Sequence, residues 1–407
     1  MSVRRLRVAI VFGGRSAERE VSLMSARTVA SSLDPGKYER VLIGIDAEGR
    51  WSLGAPELAL EPVPGSGARS WENPRSLPEA AAGISAGSRI AITPDGVDSA
   101  LVVRGTNATL RGVDVLFPLL HGPCGEDGSI QGLARLADLP CVGADILGSA
   151  LCMDKNAAKR VMRDSGIPVA AFRTFRSPNA ARDAWPEVET AFGSDLFVKP
   201  ANLGSSVGVS RARCREEYER AVSLAFEYDL KVLVEKAIVG REIEVAVMGY
   251  RELRASLPGE VVAKGDFYSY DAKYIDEGGA DIIAPARLGR DEAEACRKLA
   301  LEACEALCVS GMARVDMFLP PDGSPIVNEV NTIPGFTARS MFPLLWEASG
   351  VPLPRLADEL IALAIEAHAE RAALRTAPPR AIPRPRAGRE DVRREAGEAA
   401  ACRGGTH

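Results

Sequence analysis

The sequence predicts an α/β protein of several domains, and three observations lead to that prediction. Short apolar runs alternate with amphipathic segments over residues 6–137, which is typical of an open, largely parallel sheet. A loop rich in Gly and Ser follows Lys199 and is flanked on both sides by apolar runs. Two strands within 313–331 carry alternating polar side chains. Because 407 residues exceed what one hydrophobic core usually supports, we expect two or three domains.

The composition is that of an ordinary soluble globular protein, with 46% apolar and 26% charged residues. The net charge of -5 gives no reason to expect a nucleic-acid partner. No apolar run is long enough to span a bilayer, so we expect no membrane partner. The eight cysteines show no paired spacing, which fits reduced thiols and predicts a cytoplasmic protein.

The first region alternates apolar strands with helices that begin after glycine-containing turns. Residues 46–110 are rich in Gly, Pro and Ala, and we expect only short strands and loops there. The predicted strands are 6–12, 41–45 and 113–120, and the predicted helices are 22–33 and 130–137.

A second region begins near Gly148 and contains longer helices and β-hairpins. We expect an irregular polar loop at 264–280 and a disordered tail at 376–407, because that tail has almost no large apolar side chain. The predicted helices are 155–165, 216–228, 290–308 and 354–374, and the predicted strands are 232–236, 242–250, 252–263 and the two that flank a turn at 320–325.

The loop after Lys199 has the features of a phosphate-binding loop. Its glycines leave backbone N–H groups accessible, Ser205 and Ser206 add two hydroxyls, and Lys199 adds an ammonium. It differs from the common P-loop, since no Gly-Lys-Ser/Thr sequence opens a helix. An ordinary hairpin turn is the alternative interpretation, and the carboxylates found over a hundred residues later argue against it.

Those carboxylates lie on two neighbouring strands near the end of the folded region. Strand alternation places Arg314 and Asp316 on one face, and Glu329 and Asn331 on one face of the next strand. Asp316, Glu329 and Asn331 therefore offer oxygen donors that suit Mg2+ bridging the phosphates of a nucleotide. The alternative interpretation of these polar side chains is a solvated outer face of the sheet. The tight Gly/Pro turn after Asn331 argues against it.

Taken in order, these features resemble the D-alanine–D-alanine ligase family of ATP-grasp enzymes. Each piece alone is weak, but their order is highly specific, and the resemblance covers about residues 6–370. It implies an α/β ATP-grasp fold with an N-terminal open parallel-sheet domain (pre-ATP-grasp) and two α+β ATP-binding subdomains. The matching segments are 12–22, 121–128, 153–155, 199–208, 234–236, 270–274, 314–316 and 329–335. The implied boundaries are 1–145, 146–238 and 239–375, with the tail at 376–407 outside the resemblance.

The resemblance implies a set of residues for ATP and metal. Lys155 and Lys199 would hold the phosphates as point charges, and Lys273 would reach the γ-phosphate from a mobile loop. Glu235 and the backbone near Ile238 would recognise adenine. The remaining implied ATP residues are Ser206, Lys236 and Glu242, the last on the ribose, and the implied ligands of two Mg2+ (or Mn2+) are Asp316, Glu329 and Asn331.

The amino-acid substrate is expected at the N-terminal sheet. Glu18 and His121 each follow a predicted strand, and the carboxyl ends of parallel strands are where ligands bind in open sheets. A solvated loop charge and a structural histidine are the alternatives. The resemblance implies that Glu18 holds an ammonium and that His121 contacts the first D-alanine. It further implies an oxyanion site at Arg314 and Gly335, a second-substrate site at Ser340 and Met341, and a proton-accepting set of Glu18, Ser205 and Tyr274.

The implied reaction is ATP-dependent formation of D-alanyl-D-alanine through an acyl phosphate, for peptidoglycan precursor synthesis, by a homodimer. In the family, Tyr after the loop lysine accompanies D-alanine as second substrate and Phe accompanies D-lactate. Lys273-Tyr274 therefore predicts the dipeptide product, and D-lactate or D-serine as acceptor stays as an alternative. A catalytically silent nucleotide-binding protein is a third possibility. It would require loss of a metal ligand or of Arg314, and all of these residues are present.

Overall fold

A computed structural model describes residues 4–54, 88–93, 100–103, 109–110, 112–263 and 280–375. The described residues up to Ala369 form one compact unit, and Glu370–Arg375 are the described part of a second. Most of the loop predicted at 264–280, with Lys273 and Tyr274, lies outside the described residues, as does the tail at 376–407. The division of the chain at residues 145 and 238 stays a prediction.

Seventeen strands and ten helices make up the described part of the chain. The strands are β1 (Leu6–Gly13), β2 (Tyr38–Ile45), β3 (Trp51–Leu53), β4 (Ile90–Thr93), β5 (Ala100–Val103), β6 (Thr109–Leu110), β7 (Val115–Leu119), β8 (Phe172–Phe175), β9 (Leu196–Pro200), β10 (Ser210–Ala212), β11 (Val232–Lys236), β12 (Arg241–Gly249), β13 (Leu253–Ala255), β14 (Gly259–Ala263), β15 (Ala280–Ile283), β16 (Gly311–Leu319) and β17 (Ile326–Asn331). The helices are α1 (Arg19–Ser32), α2 (Ser129–Leu136), α3 (Ile146–Met153), α4 (Lys155–Asp164), α5 (Pro178–Asp183), α6 (Trp185–Phe192), α7 (Arg215–Tyr228), α8 (Arg290–Ala306), α9 (Met341–Ala348) and α10 (Leu353–Ala372).

The N-terminal sheet has the strand order β3-β2-β1-β7. Strand β1 is parallel to both β2 and β7, whereas β3 is antiparallel to β2. Nearly all of β1 and β7 is buried, which is why both strands are continuous apolar runs in the sequence. The prediction of an open, largely parallel sheet is confirmed. A small antiparallel sheet, β4-β5-β6, lies within the Gly/Pro-rich region.

The second sheet carries the loop that follows Lys199. Its order is β10-β9-β11-β8, and all neighbouring strands are antiparallel. Helix α7 packs on the sheet through a core that contains Trp185 and Tyr218, whose rings lie 5.1 Å apart. Strand β9 ends at Pro200, so the Gly/Ser loop leaves the sheet one residue after Lys199.

The third sheet has six strands in the order β15-β14-β12-β16-β17, with β13 paired to β12. Across β12, β16 and β17, Glu244 lies opposite Asp316, and Asp316 lies opposite Glu329. Directly opposed side chains project to the same side of a sheet. The intervening positions, such as Val245 and Val315, are fully buried in the core beneath. The predicted alternation of polar and apolar positions is therefore confirmed.

Some boundaries differ from the sequence prediction for identifiable reasons. The strand predicted at 252–263 is divided into β13 and β14 around Pro258, which has no N–H to donate to a ladder. Helix α1 begins at Arg19 rather than at 22. Helix α9 was missed because it is apolar nearly all round, so it lacks the helical period that the prediction relied on. Helices α3, α5 and α6 and strand β8 were also missed, since each has only four to eight residues.

No helix within the described ranges has both the length and the apolar character needed to cross a bilayer.

Two glycines with the same backbone conformation allow a matched test of packing between β16 and the segment before α3. Gly311 and Gly323 both have φ of +78°, but a Cβ added at Gly311 would lie 2.2 Å from the Gly143 carbonyl oxygen. A Cβ at Gly323 would meet no atom of the described residues within 4 Å. We predict that Gly323→Ala costs about 1–2 kcal/mol for the left-handed backbone. Gly311→Ala should cost about 1–3 kcal/mol more, from overpacking.

Urea unfolding of the two variants measures this difference. Equal losses of stability would contradict the close approach of Gly311 to Gly143.

Candidate active site

One cavity of about 420 Å³ collects most of the residues expected to bind the amino-acid substrates. Its wall combines the loops after β1 and β7, the loop after β9, the polar face of the third sheet and the turn before α9. The sequence-predicted site residues in this wall are Glu18, His121, Ser205, Arg314, Glu329, Asn331, Gly335, Ser340 and Met341. These nine residues come from segments up to 323 positions apart in the chain, between positions 18 and 341.

Glu18 lies immediately before helix α1, and Ser22 holds this end of the helix in place. The Gly13 N–H donates to Ser22 Oγ at 2.7 Å, and Ser22 Oγ donates to the Leu119 carbonyl. The start of α1 is thereby fixed between the ends of β1 and β7. The Ser205 hydroxyl, which comes from the loop of the second sheet, donates to Glu18 Oε1. This hydrogen bond joins two members of the predicted proton-accepting set.

His121 is buried at the end of β7, with its Nδ1 2.9 Å from the Ile333 carbonyl oxygen. Because a carbonyl only accepts hydrogen bonds, Nδ1 carries the proton. Burial lowers the pKa of His121, although the charge of Glu18 acts in the opposite direction. The imidazole is therefore neutral near pH 7, and Nε2, which has no partner among the described residues, is an acceptor. The cavity wall at His121 thus offers an acceptor to a substrate donor.

Glu126 is a cavity residue to which the sequence analysis assigned no role. Its Oε2 accepts the Gly122 N–H at 2.8 Å and its Oε1 accepts the Ile333 N–H at 3.1 Å. Burial, followed by the negative charge of Glu18, raises the pKa of Glu126 to about 7. One feature of the sequence could have identified Glu126. It lies in the segment 121–128, which matches the family, and it is a carboxylate among glycines to which no role had been given.

Arg314 lies at the centre of the polar face of the third sheet. Its guanidinium donates to both oxygens of Asp316, from Nε at 2.7 Å and from Nη2 at 2.6 Å. Nε is also 3.0 Å from Glu244 Oε2. Burial disfavours the charged guanidinium, but Asp316 and Glu244 outweigh it and raise the pKa of Arg314 well above its ordinary value. Arg314 is a permanent cation in the wall, and Glu244 is a second residue that sequence reasoning missed.

The three predicted metal ligands lie close together on β16 and β17. Asp316 is directly opposite Glu329, and Asn331 Nδ2 donates to Asp316 Oδ2 at 2.9 Å. Within the described ranges, no three His, Cys, Asp or Glu side chains form a metal-binding group. Two carboxylates and an amide nevertheless fit Mg2+, which usually takes one or two carboxylates together with substrate phosphates. The donor set is thus compatible with metal bound jointly with a nucleotide.

The two lysines expected at the ATP phosphates are both paired with carboxylates. Lys155 Nζ donates to the Leu203 carbonyl at 2.6 Å and lies 3.1 Å from Glu329 Oε2. Lys199 Nζ is 2.7 Å from Glu235 Oε2. The pairing of Lys155 with Glu329 connects a lysine expected at the phosphates to the cavity, because Glu329 lines the cavity wall.

Glu235 is buried between two ammonium groups, those of Lys199 and Lys159. Lys159 Nζ lies 3.3 Å from Glu235 Oε1, and its side chain is fully buried. Burial favours the protonated carboxyl, but the two lysines outweigh it and lower the pKa of Glu235. Sequence reasoning missed Lys159, although it lies one helical turn after Lys155 on α4 and so projects to the same side.

The other expected ATP residues that the structure describes lie outside the cavity wall. Lys236 is exposed at the end of β11, and Ile238 and Glu242 are partly buried in the following segment and β12. Ser206 is in the loop after β9 with φ of 58°. Lys273 and Tyr274 lie outside the described residues, but the flanking strands β14 and β15 contribute Val261, Ala280 and Ile282 to the cavity.

The turn that follows β17 supplies the remaining substrate residues. Phe336 N–H donates to Ser25 Oγ on α1 at 3.0 Å, which holds the turn carrying Gly335 against the N-terminal sheet. Ser340 precedes α9, and its hydroxyl accepts the Thr337 N–H at 2.9 Å. Met341 packs against Gly259, where an added Cβ would lie 2.5 Å from the Met341 methyl.

An open, largely parallel sheet, followed by two sheets that carry a Gly/Ser loop and a face of carboxylates, is the arrangement expected of an ATP-grasp enzyme. Comparison with protein families gives the same result. The family model for the N-terminus of D-Ala D-Ala ligase matches residues 7–144, and the model for the C-terminus matches residues 161–362. The chain therefore belongs to the D-alanine–D-alanine ligase family, whose members use ATP.

Individual relatives support this assignment. D-alanine–D-alanine ligase A of Salmonella typhimurium and that of Escherichia coli K12 are each 45% identical over 372 residues, covering 91% of this chain and 99% of the relative. A D-alanine–D-alanine ligase structure from Coxiella burnetii is 34% identical, with a TM-score of 0.76, and covers 98% of this chain and 100% of its own. The VanG D-Ala:D-Ser ligase from Enterococcus faecalis is 33% identical, with a TM-score of 0.75, and covers 89% and 100%.

The raised pKa of Glu126 predicts a pH-dependent effect on stability. The folded protein holds this proton up to about pH 7, whereas an unfolded Glu loses it near pH 4.3. Wild-type stability from this group is therefore lost as pH rises between those values. Glu126→Gln cannot ionise, so the stability of the variant relative to wild type should increase by about 2–3 kcal/mol from about pH 5 to about pH 8.

Urea unfolding of both proteins at the two pH values measures this change. A stability difference that is the same at both values would contradict the raised pKa.

Proposed function

We propose that the protein ligates two molecules of D-alanine to D-alanyl-D-alanine at the expense of ATP, for peptidoglycan precursor synthesis. One observation carries the proposal: a single cavity joins a carboxylate, Glu18, to a guanidinium, Arg314, and to Glu329, the partner of Lys155. An amino acid has an ammonium and a carboxylate, and this arrangement offers a partner for each beside the expected phosphate site.

The first D-alanine binds with its ammonium at Glu18 and His121. Glu18 supplies the negative charge, and Nε2 of the neutral His121 accepts one N–H of the ammonium. A carboxylate is a poor acyl donor, because it would have to expel oxide. Transfer of the γ-phosphoryl group of ATP to this carboxylate gives an acyl phosphate and ADP, and phosphate then becomes the leaving group.

The lysines keep the phosphates in place during this transfer. Lys155 and Lys199 are both largely buried and lie next to carboxylates that compensate their charge until the nucleotide binds. Bound Mg2+ or Mn2+ supplies further charge neutralisation to the phosphates, and Asp316, Glu329 and Asn331 would hold two such ions.

In the second step, the amine of the second D-alanine attacks the acyl carbon. The tetrahedral intermediate carries an oxyanion, and Arg314 and the Gly335 N–H are the donors that we assign to it. Ser340 binds the carboxylate of the second D-alanine, and Met341 shapes its pocket. The hydrogen bond from Ser205 to Glu18 supports the proposal that Glu18, Ser205 and Tyr274 accept the amine proton.

Further parts of the proposal rest on the family. Tyr274 in the 264–280 loop favours D-alanine over D-lactate as acceptor. D-serine is the competing acceptor, because one similar structure is titled a D-Ala:D-Ser ligase. We also propose that the protein is cytoplasmic and acts as a homodimer through its N-terminal region.

Product analysis tests the proposal directly. Purified protein is incubated with ATP, Mg2+ and D-alanine, alone and in competition with D-lactate or D-serine, and the products are identified by mass spectrometry. We expect D-alanyl-D-alanine as the main product, with ADP and phosphate in equal amounts. If the main product contains D-lactate or D-serine, that compound is the preferred acceptor. If the protein binds ATP but forms no ADP, the proposed ligase activity is refuted.

Replacement of Arg314 tests the oxyanion assignment. Arg314→Lys keeps the positive charge but loses the planar guanidinium with its paired N–H donors, so kcat should fall by about 100-fold or more. Arg241→Lys is the matched control, because Arg241 also binds both oxygens of one carboxylate, Glu260, at 2.8 and 2.7 Å. The control should keep a kcat close to that of wild type. A similar loss in both variants would indicate a general effect of breaking such a pair.

A further inference from the structure

The carboxylate of Glu126 connects two loops that reach the cavity from different sheets. Oε2 accepts the N–H of Gly122, next to His121 in the loop after β7. Oε1 accepts the N–H of Ile333, in the turn after β17, which is 207 residues away in sequence. Each oxygen thus has its own donor, and the side chain spans the gap between the loops.

Ile333 is bound through both of its backbone groups. Its N–H donates to Glu126, and its carbonyl accepts the proton on His121 Nδ1 at 2.9 Å. The three hydrogen bonds close a ring through His121, Gly122, Glu126 and Ile333. The orientation of the His121 ring and the start of the turn that carries Gly335 therefore depend on the same carboxylate.

The position of Glu126 is electrostatically unfavourable for a carboxylate. Both Glu18 and Glu329 disfavour negative charge there, as does burial. A side chain that served stability alone is not expected to bring a fourth carboxyl to a wall that already has Glu18, Glu244 and Glu329, since violations of local preference concentrate at functional sites. The contacts of Glu126 therefore call for a role in the site itself.

We propose that Glu126 is a positioning residue for the first D-alanine: by bridging Gly122 and Ile333, it sets the distance between His121 and the turn that leads to Gly335. The proposal rests on the proposed ligase function and adds a residue to the pocket for the first substrate. The phosphate-binding lysines lie outside the ring, so the nucleotide site should be insensitive to Glu126.

The test compares Glu126→Gln with Asp127→Asn in the full-length protein. Gln has the same length as Glu, but its amide NH2 faces one of the two N–H donors, so it bridges only one loop. Asp127 is the matched control, because it also accepts two backbone N–H groups, those of Cys124 at 2.8 Å and Ser129 at 2.9 Å. Both donors lie within three residues of Asp127 in the chain, so no second sheet is attached to it.

The velocity is measured against D-alanine concentration and fitted with two Michaelis constants, one for each D-alanine site. We expect Glu126→Gln to raise the first constant by about tenfold or more, because one hydrogen bond is lost and its backbone N–H donor is left unsatisfied. The KM for ATP should stay at the wild-type value, and kcat should change less than the first constant. Asp127→Asn should leave all these constants near wild type. Equal effects of the two variants, or a general loss that includes ATP, would overturn the proposal.

A second variant separates bridging from charge. Glu126→Asp keeps the carboxylate but is one methylene shorter, so it cannot reach both donors. It should raise the first constant as Glu126→Gln does, and a wild-type value would overturn the bridging role.

Calorimetric titration with D-alanine in the absence of ATP distinguishes this proposal from the proposed function. Weaker binding to Glu126→Gln than to wild type and to Asp127→Asn is expected whether or not product forms. Absence of dipeptide from wild type would refute the ligase function alone, whereas equal D-alanine affinity in all three proteins would refute the role of Glu126.

Discussion

The register between β12, β16 and β17 is the constraint on which the rest of the site depends. It places Glu244, Asp316 and Glu329 in one row across the three strands. In the neighbouring row on the same face, Arg314 lies opposite Asn331. If one strand slipped by one residue against its neighbour, its polar side chains would point into the core and its apolar side chains would be exposed. The opposite face is buried, so the hydrophobic effect holds the register that the charged groups need. A bulge between Asp316 and Met317 comes after the last of these pairs, where it leaves the polar row intact.

The site depends next on contacts that join this face to the other sheets. Ser205 donates to Glu18, Lys155 pairs with Glu329, and His121 donates to the Ile333 carbonyl. The first and third contacts each link elements of two different sheets, and the Lys155–Glu329 pair links helix α4 to the third sheet. Hydrogen bonds and ion pairs of this kind favour one relative placement strongly, because an unpaired buried charge is costly. The cavity is thus the place where elements associated with all three sheets meet.

Local sequence patterns predicted the parts of the site that depend on one element or on adjacent strands. Alternation identified Arg314, Asp316, Glu329 and Asn331, and the position after a buried strand identified Glu18 and His121. Sequence patterns did not identify the residues whose partners are distant in the chain. Glu126 binds Ile333, Lys159 pairs with Glu235, and Glu244 pairs with Arg314. No periodicity encodes such pairs, because they form only after the sheets are placed. Helix α9 was not predicted for a different reason: it is apolar on nearly every face, so it shows no amphipathic period.

The most direct test of the account is a crystal structure of the protein with ADP and Mn2+, using the anomalous signal of manganese. The family resemblance implies two metal ions, and the register predicts that both manganese peaks lie within coordination distance of Asp316, Glu329 and Asn331. Lys155 and Lys199 should then contact the phosphates. An ordered nucleotide whose manganese ions lie away from the β16–β17 face would contradict the claim that this register builds the nucleotide site.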